Sequence, residues 1–417
     1  MSITNFNFDI INIIYNKLDY IDIINLSLTN KHFYNMFVSN KEYISFEKIF
    51  DDIDKIKYYV DTFPKVKLNL ITKDLNKINR KYLINITKLD LYTDCSYNDS
   101  GDDSIDDSID DITDLELLKN VINLTTLKLC VDYGTTDLKP LKDLINLRKL
   151  DLSNNINISN LEPLKNLINL TYLNLYYNNI TNLKPLKNLV NITYLNLTGN
   201  NIFDIESLKD LIYLKNLDLY HNNITNIELL NNLINITYLN LSTNKINKIE
   251  PLNNLVNLTT LNLSYNKIDN LEPLNNLVNL TTLNFSNNNI SKIEPLKRLV
   301  NITYLNLNNN NITNLEPLEN LINLAELNLH HNKITNLEPL ENIINLTKLY
   351  LSHNNISVLK PLKYLINLEV LCFSNNNISN LKPLKNLINL TFLDLSENNI
   401  SNLKPLKRLV NITYLNK

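Results

Sequence analysis

A proline returns at a fixed interval over most of the chain. The interval is 22 residues or a multiple of it at Pro163, Pro185, Pro251, Pro273, Pro295, Pro317, Pro339, Pro361, Pro383 and Pro405. Self-similarity at such a period is the mark of stacked repeat architectures. A chain of 417 residues also exceeds what one hydrophobic core normally holds. The sequence therefore predicts a solenoid rather than a single globular core.

The repeating unit can be read directly. One copy is Leu170-x-x-Leu173-x-Leu175-x-x-Asn178-x-Ile180-x-x-Leu183-x-Pro185-Leu186-x-x-Leu189. The alternation of leucines at its start predicts a short strand. Proline suits the first position of a short helix or 3₁₀ turn, and the leucines after it are spaced to face inward. About fifteen such units fit between residue 63 and the end of the chain.

Asparagine recurs in the turn after each predicted strand. Asn178 is followed at the same phase by Asn200, Asn222 and later copies. A buried amide column is tolerable only if every copy is hydrogen-bonded, so we predict an asparagine ladder. Glycine is nearly absent, with 3 residues in all, so the asparagine that follows, such as Asn179, is expected to supply left-handed backbone.

The unit resembles the 22-residue class of leucine-rich repeats found in bacterial internalins and in a regulatory subunit of type-1 protein phosphatase. The resemblance covers roughly residues 63–417. It implies an α/β solenoid shaped as a horseshoe, with parallel strands on a concave face and short helical turns on a convex face. One unit cannot fold alone, so stability is expected to come from stacking.

Residues 1–45 lie outside the repeat. Apolar residues at helical spacing predict three short helices there, too few for a strong independent core. The segment resembles an F-box, although it lacks the usual Leu-Pro and has Phe33 where Trp is common. That resemblance implies binding to a Skp-type adaptor of a cullin–RING ubiquitin ligase through Phe8, Ile10, Leu18, Ile23 and Phe33. The alternative is an N-terminal helical cap, and residues 46–62 read as a capping helix or linker.

Composition excludes several classes of protein. Lys+Arg total 40 against Asp+Glu 43, and this balance argues against nucleic-acid binding. No apolar run approaches the roughly 18 residues of a membrane helix. The 3 cysteines are too few for a disulfide framework, and the N-terminus lacks a basic signal region, so we expect a cytoplasmic protein that is not secreted. No nucleotide-binding loop or catalytic constellation is present, so neither a cofactor nor enzyme activity is expected.

The predicted target site is the outward face of the strands. A column of amides there is flanked by serines, and tyrosines gather toward one end. Exposed tyrosine is typical of protein interfaces. We therefore expect a protein target to bind around Tyr172, Tyr176, Tyr194, Tyr220 and Tyr238.

Three further features have two interpretations each. The acidic insertion near 95–111 is either a solvated loop or a weak calcium or kinase site. His330, His331 and His353, with Cys372, are either surface histidines at strand ends or zinc ligands. The charged turn face, basic at both ends and acidic between, is either solvated or a secondary partner site.

Two functions remain open at this point. The first is an adaptor that recruits a target to a ubiquitin ligase. The second is an interaction scaffold without a ligase link, for example one like a phosphatase regulator. The A+T-rich codon bias behind the abundant Asn, Ile, Lys and Tyr, together with the F-box-like start, resembles repeat proteins of large DNA viruses of amoebae, and the cytoplasm would then be that of the host.

Overall fold

The computed structural model describes residues 45–47, 56–57, 67–72, 75, 78–92, 115–130 and 137–417. The chain divides into two compact units, Met1–Ile192 and Thr193–Lys417, called here the N-terminal and C-terminal units. The predicted adaptor-binding residues Phe8, Ile10, Leu18, Ile23 and Phe33 and the acidic insertion lie outside the described residues.

The N-terminal unit contains six described strands. They are Ser45–Glu47 (β1), Lys67–Thr72 (β2), Ile86–Tyr92 (β3), Thr126–Cys130 (β4), Lys149–Asp151 (β5) and Tyr172–Asn174 (β6). Consecutive strands pair in parallel. One short α-helix, Arg80–Leu83 (α1), precedes β3, and 3₁₀ turns follow at Leu115–Asn120, Lys139–Leu141, Glu162–Leu164 and Lys184–Leu186.

The C-terminal unit alternates three-residue strands with 3₁₀ turns. Its strands are Tyr194–Asn196 (β7), Asn216–Asp218 (β8), Tyr238–Asn240 (β9), Thr260–Asn262 (β10), Thr282–Asn284 (β11), Tyr304–Asn306 (β12), Glu326–Asn328 (β13), Lys348–Tyr350 (β14), Val370–Cys372 (β15), Phe392–Asp394 (β16) and Tyr414–Asn416 (β17). Its turns are Glu206–Leu208, Glu228–Asn232, Glu250–Asn254, Glu272–Leu274, Glu294–Arg298, Glu316–Leu318, Glu338–Leu340, Lys360–Tyr364, Lys382–Asn386 and Lys404–Arg408.

Neighbouring strands of the C-terminal unit pair in parallel at a constant offset of one repeat. Leu261 of β10 lies opposite Leu239 of β9 and Leu283 of β11. Most repeats of this unit bury seven aliphatic side chains between the strand and the 3₁₀ turn, and in one repeat these are Leu258, Leu261, Leu263, Ile268, Leu271, Leu274 and Leu277. Because they are at most 1% exposed, each repeat relies on its neighbours to cover its core.

The predicted asparagine ladder is confirmed. Asn288 lies in the turn after β11 and is 8% exposed. Its Nδ2 donates to the carbonyls of Phe285 and Ser286 in its own turn and to that of Leu263 one repeat earlier. Its Oδ1 accepts the N–H of Ile268, 2.9 Å away in the earlier repeat. One side chain therefore satisfies four backbone groups and ties two repeats together.

The predicted source of left-handed backbone was wrong. Positive φ falls on the residue before each ladder asparagine and not on the one after it. The non-glycine residues with positive φ are Asn154, Tyr177, His221, Thr243, Tyr265, Asn287, Asn309, His331, His353, Asn375 and Glu397, and Gly199 shares the conformation. Asn and His, which favour this conformation, account for seven of these eleven residues. Tyr, Thr and Glu at the other four do not favour it, so there the fold imposes the conformation through the ladder bonds that follow.

A second asparagine ladder, which the sequence did not predict, lies just before the strands. Asn279 donates from Nδ2 to the carbonyl of Val256 at 2.9 Å, and Asn301 does the same to Val278. A threonine row beside it donates in the same direction, as from Thr281 to Thr259 at 3.1 Å. Side chains thus bridge the stacked repeats on two sides of the strand.

Two other expectations are corrected at the N-terminal end. Parallel pairing begins at β1, which lies before residue 63 and at the start of the segment predicted as a capping helix or linker. Cys130 is disulfide-bonded, a single bridge that the cysteine count did not lead us to expect. Within the part of the chain that the structure describes, no helix has the length and apolarity that a bilayer crossing requires.

Candidate functional site on the strand face of the C-terminal unit

A cleft lies on the outward face of the first three strands of the C-terminal unit. Tyr194 of β7, Asn216 of β8 and Tyr238 of β9 are in register, so two rings flank one short amide side chain. With strands about 4.8 Å apart, the two tyrosine backbones are about 10 Å apart. The cleft has a volume of about 200 Å³, and Leu195 and Asp218 complete its lining. The cleft is therefore wide enough to hold one side chain of a partner protein.

Asp218 fixes the floor of this cleft. Its Oδ1 accepts the hydroxyl of Thr198 at 2.8 Å and the N–H of Tyr220 at 3.0 Å. Its Oδ2 accepts the hydroxyl of Tyr238 at 3.3 Å and the amide of Asn240 at 3.2 Å. The carboxylate is half-buried and joins three consecutive repeats. Four donors hold it in one position, so the cleft is preorganised.

The phenol of Tyr238 is held in its neutral form. Burial raises its pKa to about 12, and the negative charge and hydrogen bond of Asp218 act in the same direction. The hydroxyl therefore remains a donor to Asp218 at every physiological pH. Tyr238 is half-exposed and lines the cleft.

The structure brings together some of the predicted tyrosines. Tyr194 and Tyr238 line the cleft, and Tyr220 lies beside it, 37% exposed. Tyr172 and Tyr176 belong to the N-terminal unit, where Tyr172 begins β6.

The sequence had placed all five tyrosines on strand positions. Tyr176 and Tyr220 instead follow their strands by two residues, because each strand is only three residues long. The sequence also assigned no special role to Asp218. The sequence feature that could have pointed to it is an acidic residue that stands in the amide column, on the strand between two strands that begin with tyrosine.

The amide column has a structural role that the sequence did not show. Asn196 accepts the N–H of Thr198 on its Oδ1 at 3.0 Å, and Asn262 accepts that of Ser264 at 3.1 Å. The same contact recurs at Asn240, Asn284, Asn306 and Asn328. These oxygens close the turn after each strand, so each amide of the column is held in place by its own turn.

The histidines form a separate cluster near β13–β15. His331 and His353 stack with ring centroids 4.0 Å apart. Nδ1 of His330 accepts the N–H of Ser352 at 2.9 Å. In other repeats an asparagine of the amide column accepts this N–H, but here Tyr350 stands in that column and has no amide oxygen. Burial lowers the pKa of His330.

No zinc site is formed by these histidines. Within the described ranges, no group of three or more His, Cys, Asp or Glu side chains is placed to hold a metal ion. Burial raises the pKa of the Cys372 thiol to about 11, so this thiol stays protonated and unreactive.

Family models match both parts of the chain. The F-box domain matches residues 3–45. Leucine-rich repeats in two copies match 168–210, 256–298, 300–342 and 344–386, and a single leucine-rich repeat matches 389–409. The chain therefore combines an F-box domain with leucine-rich repeats, as its sequence suggested.

Solved structures of leucine-rich-repeat proteins resemble the chain. An internalin from Listeria monocytogenes is 27% identical, covers 88% of this chain and 96% of its own, and has a TM-score of 0.68. A leucine-rich-repeat protein of Leptospira interrogans is 27% identical, with 88% and 100% coverage and a TM-score of 0.75. A plant peptide hormone receptor at 20% identity, with 86% and 64% coverage and a TM-score of 0.66, shares the fold.

These comparisons define the class of protein. The predicted α/β leucine-rich-repeat solenoid is confirmed. A search of curated protein sequences found no significant relative. F-box domains and leucine-rich repeats are typically binding modules without catalytic activity, and their combination supports a protein-interaction adaptor.

Proposed function

We propose that this protein is a substrate receptor of a cullin–RING ubiquitin ligase. Residues 1–45 bind a Skp-type adaptor, and the repeats bind the protein to be modified. The observation that carries the proposal is the match of an F-box domain to residues 3–45 in the same chain as leucine-rich repeats that match from residue 168 onward. Phe8, Ile10, Leu18, Ile23 and Phe33 are the side chains proposed to contact the adaptor.

The target is proposed to bind the strand face at the cleft between Tyr194 and Tyr238. Two aromatic walls and a fixed carboxylate, Asp218, suit a lysine or arginine side chain of the target, because ring faces and carboxylates both attract cations. The half-exposed amide side chains of later strands supply a neutral, hydrogen-bonding surround. A folded protein surface fits this surround better than a phosphate backbone does.

The target-binding half is tested by removing the rings. Replacing Tyr194 and Tyr238 by Ala is expected to weaken target binding by about 2–4 kcal/mol, since aromatic residues at the centre of an interface carry most of its energy. Target captured by affinity purification of the tagged chain supplies the ligand, and titration calorimetry gives the affinity. The control is the Asn328→Ala and Ser352→Ala pair on the same face. A larger loss in the control pair than in the tyrosine pair contradicts the assignment of the cleft.

The adaptor half is tested separately. Tagged wild-type protein in a eukaryotic lysate is expected to co-purify a Skp-type adaptor, and the Leu18→Asp and Ile23→Asp double variant is expected to lose it. The control is Tyr194→Ala with Tyr238→Ala, which should retain the adaptor. If wild-type protein captures no adaptor, residues 1–45 have another role.

A second function is an interaction scaffold with no ligase link. The likeness at 27% identity to an internalin and to a Leptospira leucine-rich-repeat protein, over 88% of the chain, favours it. The two functions share the strand face and differ only at residues 1–45. Target binding without adaptor capture in the experiments above selects the scaffold.

A further inference from the structure

Three consecutive 3₁₀ turns of the C-terminal unit carry a dense group of positive charges. The turns are Lys360–Tyr364, Lys382–Asn386 and Lys404–Arg408. Their cations, called here the basic patch, are Lys360, Lys363, Lys382, Lys385, Lys404, Lys407 and Arg408. All are exposed except Lys363, which is half-exposed. Equivalent residues of stacked repeats lie about 5 Å apart, so the lysines form two parallel rows.

The charges of the basic patch are not neutralised within the protein. Ion pairs occur elsewhere among the described residues, for example between Lys348 and Glu326 at 3.3 Å, but none involves a cation of the patch. Lys363 lies over the ring of Tyr364, 4.2 Å from its centroid. Between residues 355 and 411 the acidic residues are Glu369, Asp394 and Glu397, none of which lies in a 3₁₀ turn. The patch therefore attracts a negatively charged ligand.

Exposed apolar side chains border the same lysines. Tyr364 is 58% exposed, Ile366 52%, Ile388 55% and Val410 84%. Each of these side chains follows the lysines of its own turn by a few residues. Every repeat of the patch therefore carries both cationic and apolar side chains. Aliphatic side chains are exposed at the same position in other repeats, for example Ile322 at 52% and Ile344 at 51%, but here they lie beside a cluster of cations. The ligand thus combines negative charge with apolar groups.

The neighbouring turns limit how wide the ligand is. The turns Glu316–Leu318 and Glu338–Leu340 come directly before the basic patch, and with the residues that follow them they carry Glu316, Glu319, Glu338 and Glu341. An anionic membrane or a nucleic-acid duplex, about 20 Å or more across, would lie over these carboxylates as well and be repelled. A single peptide segment covers three turns, about 10–15 Å, without reaching them.

We propose that the basic patch is a docking site for an acidic peptide segment of a partner protein, with aliphatic side chains spaced three or four residues apart. Its carboxylates lie along the two lysine rows, and its aliphatic side chains pack on Ile366, Ile388 and Val410. This site is on the turn side of the repeats, whereas the cleft of Tyr194 and Tyr238 is on the strand face. Both sites can therefore be occupied at once.

The test uses the full-length chain and a fluorescein-labelled peptide of two Glu-Glu-Leu-Ser units, about 12 Å long as a helix. Fluorescence anisotropy is expected to show saturable binding that weakens as salt is added. The double variant Lys382→Glu with Lys385→Glu is expected to weaken binding by at least about tenfold. The matched control is Lys184→Glu with Lys187→Glu, the same two kinds of turn position in the N-terminal unit, and it is expected to change binding less than about twofold. Circular dichroism verifies that both variants are folded.

A second peptide and a second variant test the apolar contacts of the proposed site. A peptide of Glu-Glu-Ser-Ser units is expected to bind several-fold more weakly than the leucine peptide, and Ile366→Ser with Ile388→Ser should remove that difference. Absence of saturable binding, or an equal loss in the control variant, overturns the proposal. Tighter patch-dependent binding of phosphatidylserine vesicles or of a DNA duplex than of the peptide also overturns it, in favour of that ligand.

Discussion

At the scale of single residues, the ladder asparagines link neighbouring repeats through backbone hydrogen bonds. Asn288 donates to three carbonyls, each of which also accepts from a second donor, and its Oδ1 accepts the N–H of Ile268. Leucine at this position has a similar volume and none of these bonds. Each buried backbone group left without a partner costs about 1–3 kcal/mol.

We therefore expect Asn288→Leu to lower the free energy of unfolding by at least about 2 kcal/mol, the middle of that range for one group. Urea denaturation followed by circular dichroism measures the change. The matched control is Asn289→Leu, since Asn289 is exposed and uses only its backbone N–H. That variant should stay within about 0.5 kcal/mol of wild type. Equal losses at the two positions would contradict the ladder as the cause.

His330 predicts a dependence of stability on pH. Burial lowers its pKa in the folded protein, so the unfolded chain takes up a proton at higher pH than the folded chain does. Stability from this residue is complete above pH about 6.5, the usual histidine pKa, and is lost as the pH falls through 6.5. Protonation of Nδ1 also removes the bond to Ser352.

The variant His330→Asn keeps a side-chain acceptor and does not titrate. Asparagine is accommodated at this position one repeat earlier, at Asn308. We expect the melting temperature of wild type to fall between pH 7.5 and 5.5 by more than that of the variant, as measured by scanning calorimetry. Parallel curves for the two proteins would show that His330 does not contribute.

At the scale of the turn, left-handed backbone on unsuitable residues stores strain. Thr243 has φ 52°, a conformation that is costly for a β-branched residue. We expect Thr243→Gly to raise the free energy of unfolding by about 0.5–1 kcal/mol, because the relief of about 1–2 kcal/mol exceeds the entropy that glycine loses. Thermal melting of wild type, Thr243→Gly and Thr243→Val checks this, and the valine variant is expected to be no more stable than wild type.

The elements show how far sequence reasoning extends. The strands and 3₁₀ turns were predictable because Leu173, Leu175 and Pro185 have unmistakable local preferences at a fixed period. The left-handed position was not, since Tyr, Thr and Glu, which do not favour it, share it with Asn, His and Gly. The period showed that a position recurs, whereas the hydrogen bonds around it decide its conformation.

The candidate site was predictable only in part. The positions of Tyr194 and Tyr238 within their repeats placed them on the outward face, because successive side chains of a strand point to opposite faces. The cleft between them depends on Asn216 lying opposite both rings, and its rigidity depends on four donors meeting at Asp218. Those donors come from three repeats, and a sequence pattern does not show the distances between them.

At the scale of the whole molecule, recruitment and recognition are assigned to different segments. The proposed adaptor contacts lie within residues 1–45, and the proposed target contacts lie on strands more than 140 residues later in the sequence. The Leu18→Asp and Ile23→Asp variant is therefore expected to bind target with wild-type affinity while failing to bridge it to the adaptor. A size-exclusion experiment with all three proteins reports the bridged complex. Loss of target binding in this variant would mean that the two activities are not separable.

The constant register of the C-terminal unit has a consequence for how such a protein changes over generations. Every strand pairs with the next at the same offset, as Leu283 does with Leu261 and Leu305, so removing or duplicating 22 residues rejoins equivalent ends. Unequal recombination can then change the copy number without creating a new kind of junction. The distance between the tyrosine cleft and the basic patch would grow or shrink in whole repeats of about 5 Å each. A gene family built this way would sample partners of different length while preserving both contact surfaces.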